Sequence, residues 1–280
     1  MRQLRVSAIS YLNTAPLMWN FEHGSLAAEL RRDFKVDYTI PSHCAQMLAE
    51  RSVDIGIIPV AAYTTIPGLR VLPDVAIASK DAVRSILLVS KKPVDLIRSV
   101  ALDSSSRTSA ALVQVLFRLQ NRDADFFPAE PRLDAMLARH DAALLIGDPA
   151  LQVDHTRYHV SDLAQEWRRL TGKPFVFAFW AVREGVASEE QLARITEVFC
   201  QSRDAGLTHL NEIADEWSPK LSLDGGSLRN YLTRNIHYYL DAENLAGMEL
   251  FFQLASSYGI LPASSEIRVV PELAIRNSAE

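Results

Sequence analysis

The chain has 280 residues, 48% hydrophobic and 22% charged, the balance of a folded protein with a real core rather than a disordered or fibrous chain. Lys and Arg number 29 against 34 Asp and Glu, a formal charge of -5, so no basic field draws in nucleic acid or anionic lipid. An anionic ligand would need local donors instead. Cys44 and Cys200 lie far apart, without metal-ligand spacing, and read as small core residues. The N-terminal residues meet Asn13 and Pro16 before a continuous apolar stretch develops, which is not the pattern of a secretory signal. The longest apolar runs, 142–147 and 175–182, are strand-sized and far short of the ~20 residues that span a bilayer. The expectation is a cytoplasmic, unanchored protein.

Along the chain, short apolar runs alternate with helical patterns. Leu4–Ile9 reads as a strand, and the turn-prone Ser10-Tyr11-Leu12-Asn13-Thr14-Ala15-Pro16 leads into a helix through Trp19 and Phe21. Residues 36–40 form a second strand candidate, and Pro41-Ser42 opens a helix whose Cys44, Met47 and Leu48 keep the i, i+3, i+4 spacing. Residues 53–59 read as a buried strand ended by proline. A second unit begins after 75–79, with strands at 84–90 and 100–103. Ser104-Ser105-Ser106-Arg107-Thr108-Ser109 then starts a helix with Leu112, Val115, Leu116 and Leu119 on one face. Phe126-Phe127 and Ala142–Ile146 supply further strands around a helix at 133–138, and the apolar run 175–182 suits a chain crossing back between two sheets. The remainder is helical, marked by Leu192, Ile195 and Phe199, then by Leu228, Tyr231, Leu232 and Tyr239. The last helix spans 244–258, with Leu245, Met248, Phe252 and Ala255 on one face. Strand–helix–strand order predicts an α/β protein of two lobes. Each lobe is a mixed, mostly parallel sheet flanked by helices, with a ligand cleft between them.

Three strand-to-helix junctions could carry chemistry. The first N–H groups of a helix lack internal partners and the macrodipole adds positive potential. Ser106, Arg107, Thr108 and Ser109 at such a point can therefore hold a carboxylate or phosphate, although a single Ser would also serve as an N-cap. Asn13 offers one acceptor and two donors without charge, or else forms a turn beside a proline. Gly147 lets backbone approach a ligand closely. Asp148 beside it is a base, a hydrogen-bond acceptor, or the N-cap before Pro149. No dinucleotide fingerprint, phosphate loop, zinc-protease helix or nucleophile elbow occurs. The seven histidines are scattered, and His155 with His159 is a weak metal signal. Trp167, Trp180 and Trp217 read as packing residues.

Five segments together resemble the chorismate dehydratases: Ile9-Ser10-Tyr11-Leu12-Asn13-Thr14-Ala15-Pro16-Leu17, Asp54-Ile55-Gly56-Ile57-Ile58-Pro59-Val60, Ser106-Arg107-Thr108-Ser109, Ile146-Gly147-Asp148-Pro149-Ala150-Leu151 and Thr171-Gly172-Lys173-Pro174-Phe175-Val176-Phe177-Ala178-Phe179-Trp180. The resemblance covers essentially the whole chain. It implies a fold like the type II periplasmic binding proteins, kept in the cytoplasm as an enzyme of the futalosine route to menaquinone. It implies dehydration of chorismate to 3-[(1-carboxyvinyl)oxy]benzoate without metal or organic cofactor. Carried over, Asn13 is the central active-site residue and the 106–109 segment binds a substrate carboxylate. Ser85 matches a hinge-strand serine facing the cleft, and Arg84 is given no role. The expected division is residues 1–82 with 183–280 in one lobe and 83–182 in the other, with Asn13 and 106–109 facing across the cleft.

That chemistry fits the residues. A dicarboxylate in a net-negative protein needs a helix start and hydroxyls to hold it. Loss of the ring hydroxyl and the neighbouring hydrogen makes the ring aromatic, so the drive lies in the substrate and the protein has a positioning task. The substrate's own enolpyruvyl carboxylate is the favoured base, aligned by Asn13, with Asp148 as the other candidate. Two alternatives stand beside this reading: a 1,4-dihydroxy-6-naphthoate synthase-like enzyme, and a non-catalytic small-anion-binding protein of the same fold. The first implies a histidine base, and no matched segment holds a histidine.

Overall fold

The computed structural model describes residues 3–263 and 266–271. Its strands in chain order are β1 (Leu4–Ile9), β2 (Phe34–Thr39), β3 (Ile55–Pro59), β4 (Leu69–Ser79), β5 (Ile86–Ser90), β6 (Ser99–Asp103), β7 (Asp125–Ala129), β8 (Ala142–Ile146), β9 (His159–Asp162) and β10 (Phe175–Arg183). They form two sheets, ordered β2-β1-β3-β10-β4 and β7-β6-β8-β5-β9. In each sheet one strand opposes the rest. In the first sheet β10 is antiparallel to β3 and β4, and in the second β5 is antiparallel to β8 and β9. The remaining pairings are parallel, with Val6 opposite both Val36 and Ile55.

Side-chain alternation along the second sheet is regular. Ile86, Leu88, Val100, Leu102, Leu144 and Ile146 join the main core, whereas Leu87, Val89, Ala101, Ala143 and Leu145 pack under Met136 and Leu137 on the opposite face. A strand puts successive side chains on opposite faces, so both faces of this sheet are covered and its central strands read as continuous apolar runs. The helix Arg107–Leu119 lies on the main-core face with Leu112, Val115 and Leu116 buried and Leu119 partly so.

The structure corrects three expectations. Residues 175–182 do not cross between the sheets; they are a central strand of the first sheet, buried throughout. Their apolar continuity comes from cover on both faces, and sheet membership sets this strand with β1–β4 rather than with 83–174. The strand expected from Arg84 begins at Ile86. The reason is local: Asp162 accepts the N–H groups of Val83 at 3.2 Å and Arg84 at 2.6 Å, and Arg84 holds φ at 62°. A left-handed arginine cannot continue a strand. Asp162 also caps the helix Leu163–Thr171 through Ala164 and Gln165. Finally, the helix marked by Leu228 and Tyr231 does not reach Tyr239. It runs Gly225–Asn230, widens into a π-helical turn over Tyr231–Asn235, and ends. His237 then pairs with Ala78 of β4, its N–H donating at 2.8 Å and its carbonyl accepting at 2.9 Å. Backbone committed to a sheet edge is unavailable to a helix.

The helices Ala27–Asp33, Leu163–Thr171 and Leu210–Leu221 were not anticipated. No helix among the described residues is long and apolar enough to cross a membrane.

Candidate active site

Parallel strands deliver their carboxyl ends to one place. β1 runs into the 3-10 helix Leu12–Met18, β3 into the 3-10 helix Val60–Thr65, β6 into Arg107–Leu119 and β8 into the short helix Gly147–Leu151. Ligands in open α/β sheets bind outside such strand ends. Here the first two junctions meet the last two directly. Leu12 N–H donates to Asp148 Oδ1 at 3.1 Å, Ser42 N–H to the Ser105 carbonyl at 3.0 Å, and Ala61 N–H to Thr108 Oγ1 at 3.0 Å. The Tyr231 hydroxyl donates to Ser85 Oγ at 2.8 Å, and Asn235 Nδ2 to the Ala82 carbonyl at 2.8 Å. The two sheets are therefore held closed on each other by polar contacts spread over several segments.

At the start of Arg107–Leu119 the roles of the hydroxyls separate. Ser106 is the N-cap: its Oγ accepts Ser109 N–H at 3.2 Å and donates to Ser109 Oγ at 3.0 Å. Both capacities of Ser106 are thereby used within the helix start. Thr108 Oγ1 accepts from Ala61, and Ser109 Oγ accepts from Ser106, so each keeps its own hydroxyl hydrogen. Both side chains are 1% exposed. A buried hydroxyl hydrogen seeks an acceptor, and positive helix-start potential favours an anionic one. Arg107, between Ser106 and Thr108, is exposed.

Gly147 and Asp148 form the facing wall. Gly147 sits at φ 62°, and a Cβ there would lie 2.6 Å from carbons of the Tyr11 ring. Backbone conformation and contact both demand glycine. Asp148 does not cap its helix, whose N-cap position is Ile146; it reaches across to Leu12. Burial pushes the Asp148 carboxyl up to about 6, with the Leu12 N–H pulling the other way. Below it, Asp103 is buried and accepts from Ser105 N–H at 2.9 Å, Ser105 Oγ at 2.6 Å and Ile146 N–H at 3.3 Å. This carboxylate ties the β6 junction to the β8 junction. Burial raises its pKa against those three hydrogen bonds. The Tyr11 phenol beside Ser105 is likewise raised, chiefly by burial.

Asn13 is buried at 9% exposure, fixed in a turn whose Leu12, Thr14, Pro16, Leu17 and Met18 are all buried. Its Oδ1 accepts the Thr14 hydroxyl at 3.4 Å, and its side chain lies beside the Tyr231 phenol. Ser85 is fully buried just before β5, its carbonyl accepting Gly147 N–H at 2.7 Å. The β6 junction meets the first sheet's side through Ser42, which bonds the Ser105 carbonyl, and through Ala61, which bonds Thr108. Among the described residues, no group of three or more His, Cys, Asp or Glu is arranged to hold a metal ion. Cys44 is buried with its thiol pushed up to about 12 by desolvation.

Sequence reasoning gave no role to Tyr231, nor to Tyr11, Asp103 and Ser105, although the last three stand in the junction segments it singled out. Asp103 and Ser105 flank a quoted motif, and a strand-ending carboxylate two residues before a hydroxyl is a readable signal for such a loop brace. Tyr231 carries no such signal, since a π-helical turn far along the chain delivers it.

Residues 4–257 match the family described as menaquinone biosynthesis. A Thermus thermophilus protein named chorismate dehydratase is 29% identical over 261 residues, covering 86% of this chain and 91% of that protein. Among solved structures, a protein of Archaeoglobus fulgidus aligns with a TM-score of 0.72 at 17% identity, over 92% of this chain and 98% of that one. A conserved Candida albicans gene product of generic periplasmic binding protein fold aligns over 100% of both chains with a TM-score of 0.66 at 12% identity. The two five-stranded sheets thus have the periplasmic binding protein fold, and with a match running from β1 to the last described helix, the chain belongs to the menaquinone biosynthesis family.

Proposed function

We propose that this protein is a chorismate dehydratase, a hydro-lyase that converts chorismate to 3-[(1-carboxyvinyl)oxy]benzoate and water in menaquinone biosynthesis. The observation that carries the reading at the site is the division of labour at 106–109. Ser106 alone caps the helix, and two buried hydroxyls, Thr108 and Ser109, retain protons for an anion. Chorismate is a dicarboxylate, and a chain of formal charge -5 holds it through such local donors. The ring hydroxyl leaves with the neighbouring ring hydrogen, and aromatisation supplies the driving force. The protein orients the leaving group and the base. Asn13 does the orienting as a neutral amide, and the substrate's enolpyruvyl carboxylate takes the proton. The sheets have to part to admit the ligand, since Thr108 and Ser109 are inaccessible in the closed arrangement. The two lobes that part are built on the two sheets, and the reading includes a cytoplasmic location. Purified protein incubated with chorismate is expected to release the benzoate product, followed by chromatography; chorismate recovered intact would overturn the reading.

Asp148 then serves as a latch, and its pH behaviour has a definite sign. The folded pKa of about 6 lies above that of a free carboxyl because burial disfavours the charge. The folded chain holds this proton more tightly than the unfolded one, so stability is lost as pH rises through roughly 4 to 6. Asp148→Asn keeps an acceptor for Leu12 N–H without the buried charge. The variant is expected to melt above the wild type at pH 7 to 8, the gap closing by about pH 4, and to keep turnover within about tenfold. A variant that binds chorismate normally and never dehydrates it would assign the base to Asp148.

A further inference from the structure

Tyr231 enters the site from the far end of the chain. It is 1% exposed, at the first position of the π-helical turn Tyr231–Asn235. Such turns are rare and occur often at functional sites, because the extra residue re-aims a side chain. Here the turn sends the phenol to Ser85, which is fully buried in the first crossing between the sheets. The Tyr231 hydroxyl donates to Ser85 Oγ at 2.8 Å, and the Asn13 side chain lies beside it.

The direction of these bonds has a chemical consequence. A hydroxyl is one donor and two acceptors. Ser85 Oγ has its acceptor side occupied by Tyr231, so the Ser85 proton is directed elsewhere. Tyr231 in turn lies beside Asn13. The three side chains come from three distant segments: the turn after β1, the crossing before β5, and the helix end after residue 230. A hydrogen-bond chain in a low-dielectric site polarises along its length. The last donor in this chain, Ser85, is therefore both oriented and strengthened.

Resting on the dehydratase reading, we propose that Tyr231 is a positioning residue for the reaction: its hydroxyl fixes Ser85 as a donor toward the bound dicarboxylate, beside Asn13. Tyr231 acts through Ser85. Removing its hydroxyl alone leaves the ring packed and the substrate pocket chemically unchanged, but frees Ser85 to rotate. The effect falls on alignment at the moment of elimination, so it appears in kcat rather than in KM.

The test is Tyr231→Phe, measured with chorismate beside the wild type, Ser85→Ala and the double variant. Tyr231→Phe is expected to lower kcat about tenfold to thirtyfold with KM within about twofold. Its Tm shifts by about 2–4 °C, the scale of one lost hydrogen bond in a chain of this size. Because Tyr231 works through Ser85, the double variant is expected to be no slower than Ser85→Ala by more than about twofold. An active wild type with Tyr231→Phe equally fast overturns the inference alone. So do fully additive losses in the double variant, or a Tm collapse that marks the hydroxyl as part of the fold. A wild type that makes no product overturns the dehydratase reading and this inference with it.

Discussion

Asn13→Ala is expected to lower kcat about a hundredfold while raising KM less than about fivefold. The residue lies in a turn whose neighbours on both sides are buried core, so the backbone has little freedom to follow the truncation. What is lost is an amide that accepts from Thr14 and lies beside the Tyr231 phenol. Capture of the dicarboxylate falls to the hydroxyls and the positive potential of the helix start at 106–109. Asn13 contributes where geometry is critical, in aligning the leaving hydroxyl and the carboxylate that takes the proton. A hundredfold loss corresponds to about 2.7 kcal/mol of transition-state stabilisation, a reasonable size for one well-placed hydrogen bond to a developing charge. Steady-state kinetics with chorismate separate the possibilities. A rise in KM with kcat unchanged would make Asn13 a ground-state contact.

Much of this arrangement is legible in the chain itself. The apolar runs at Leu4–Ile9 and Ala142–Ile146 have the bounds of β1 and β8, because a strand covered on both faces admits few polar residues. Junction residues are legible for a related reason: hydroxyls, Asn and Gly at the end of an apolar run cannot continue the strand. What periodicity does not carry is pairing. Nothing in 175–182 states that its neighbours are β3 and β4, since a central strand and a crossing segment share the same composition. Nor does Leu228, Tyr231, Leu232 and Tyr239 reveal that the helix stops, because the interruption is caused by Ala78, far away in sequence, capturing the backbone of His237. The site was legible where it is local and hidden where it is assembled. Ser106, Thr108 and Ser109 stand in one motif, but their separate roles depend on Ala61, and Ser85 acquires its partner from Tyr231, at a separation of 146 residues. Side-chain identity marks a junction; only the fold decides which hydroxyl retains its proton.

That division gives the anion site a sharp test in Thr108→Ala/Ser109→Ala. Hydrogen bonds to a charged group are worth about 1.5–3 kcal/mol each, tenfold to somewhat over a hundredfold in affinity. The helix-start N–H groups remain in the double variant and continue to bind the carboxylate, so the joint loss lies toward the lower end. KM for chorismate is expected to rise about a hundredfold, with kcat at saturation lowered far less. The fold pays separately, because Thr108→Ala strips Ala61 N–H of its acceptor inside the closed junction, about 1–3 kcal/mol for an unpaired buried donor. Ser106→Ala provides the contrast. It removes the N-cap, about 0.5–2 kcal/mol of stability, yet takes no free hydroxyl hydrogen from the ligand, so its effect should appear in the melting temperature more than in KM. Calorimetric binding of the benzoate product to each variant checks the same ordering without turnover. Affinity unchanged in the double variant would leave Thr108 and Ser109 as structural hydroxyls and return the anion site to the backbone alone.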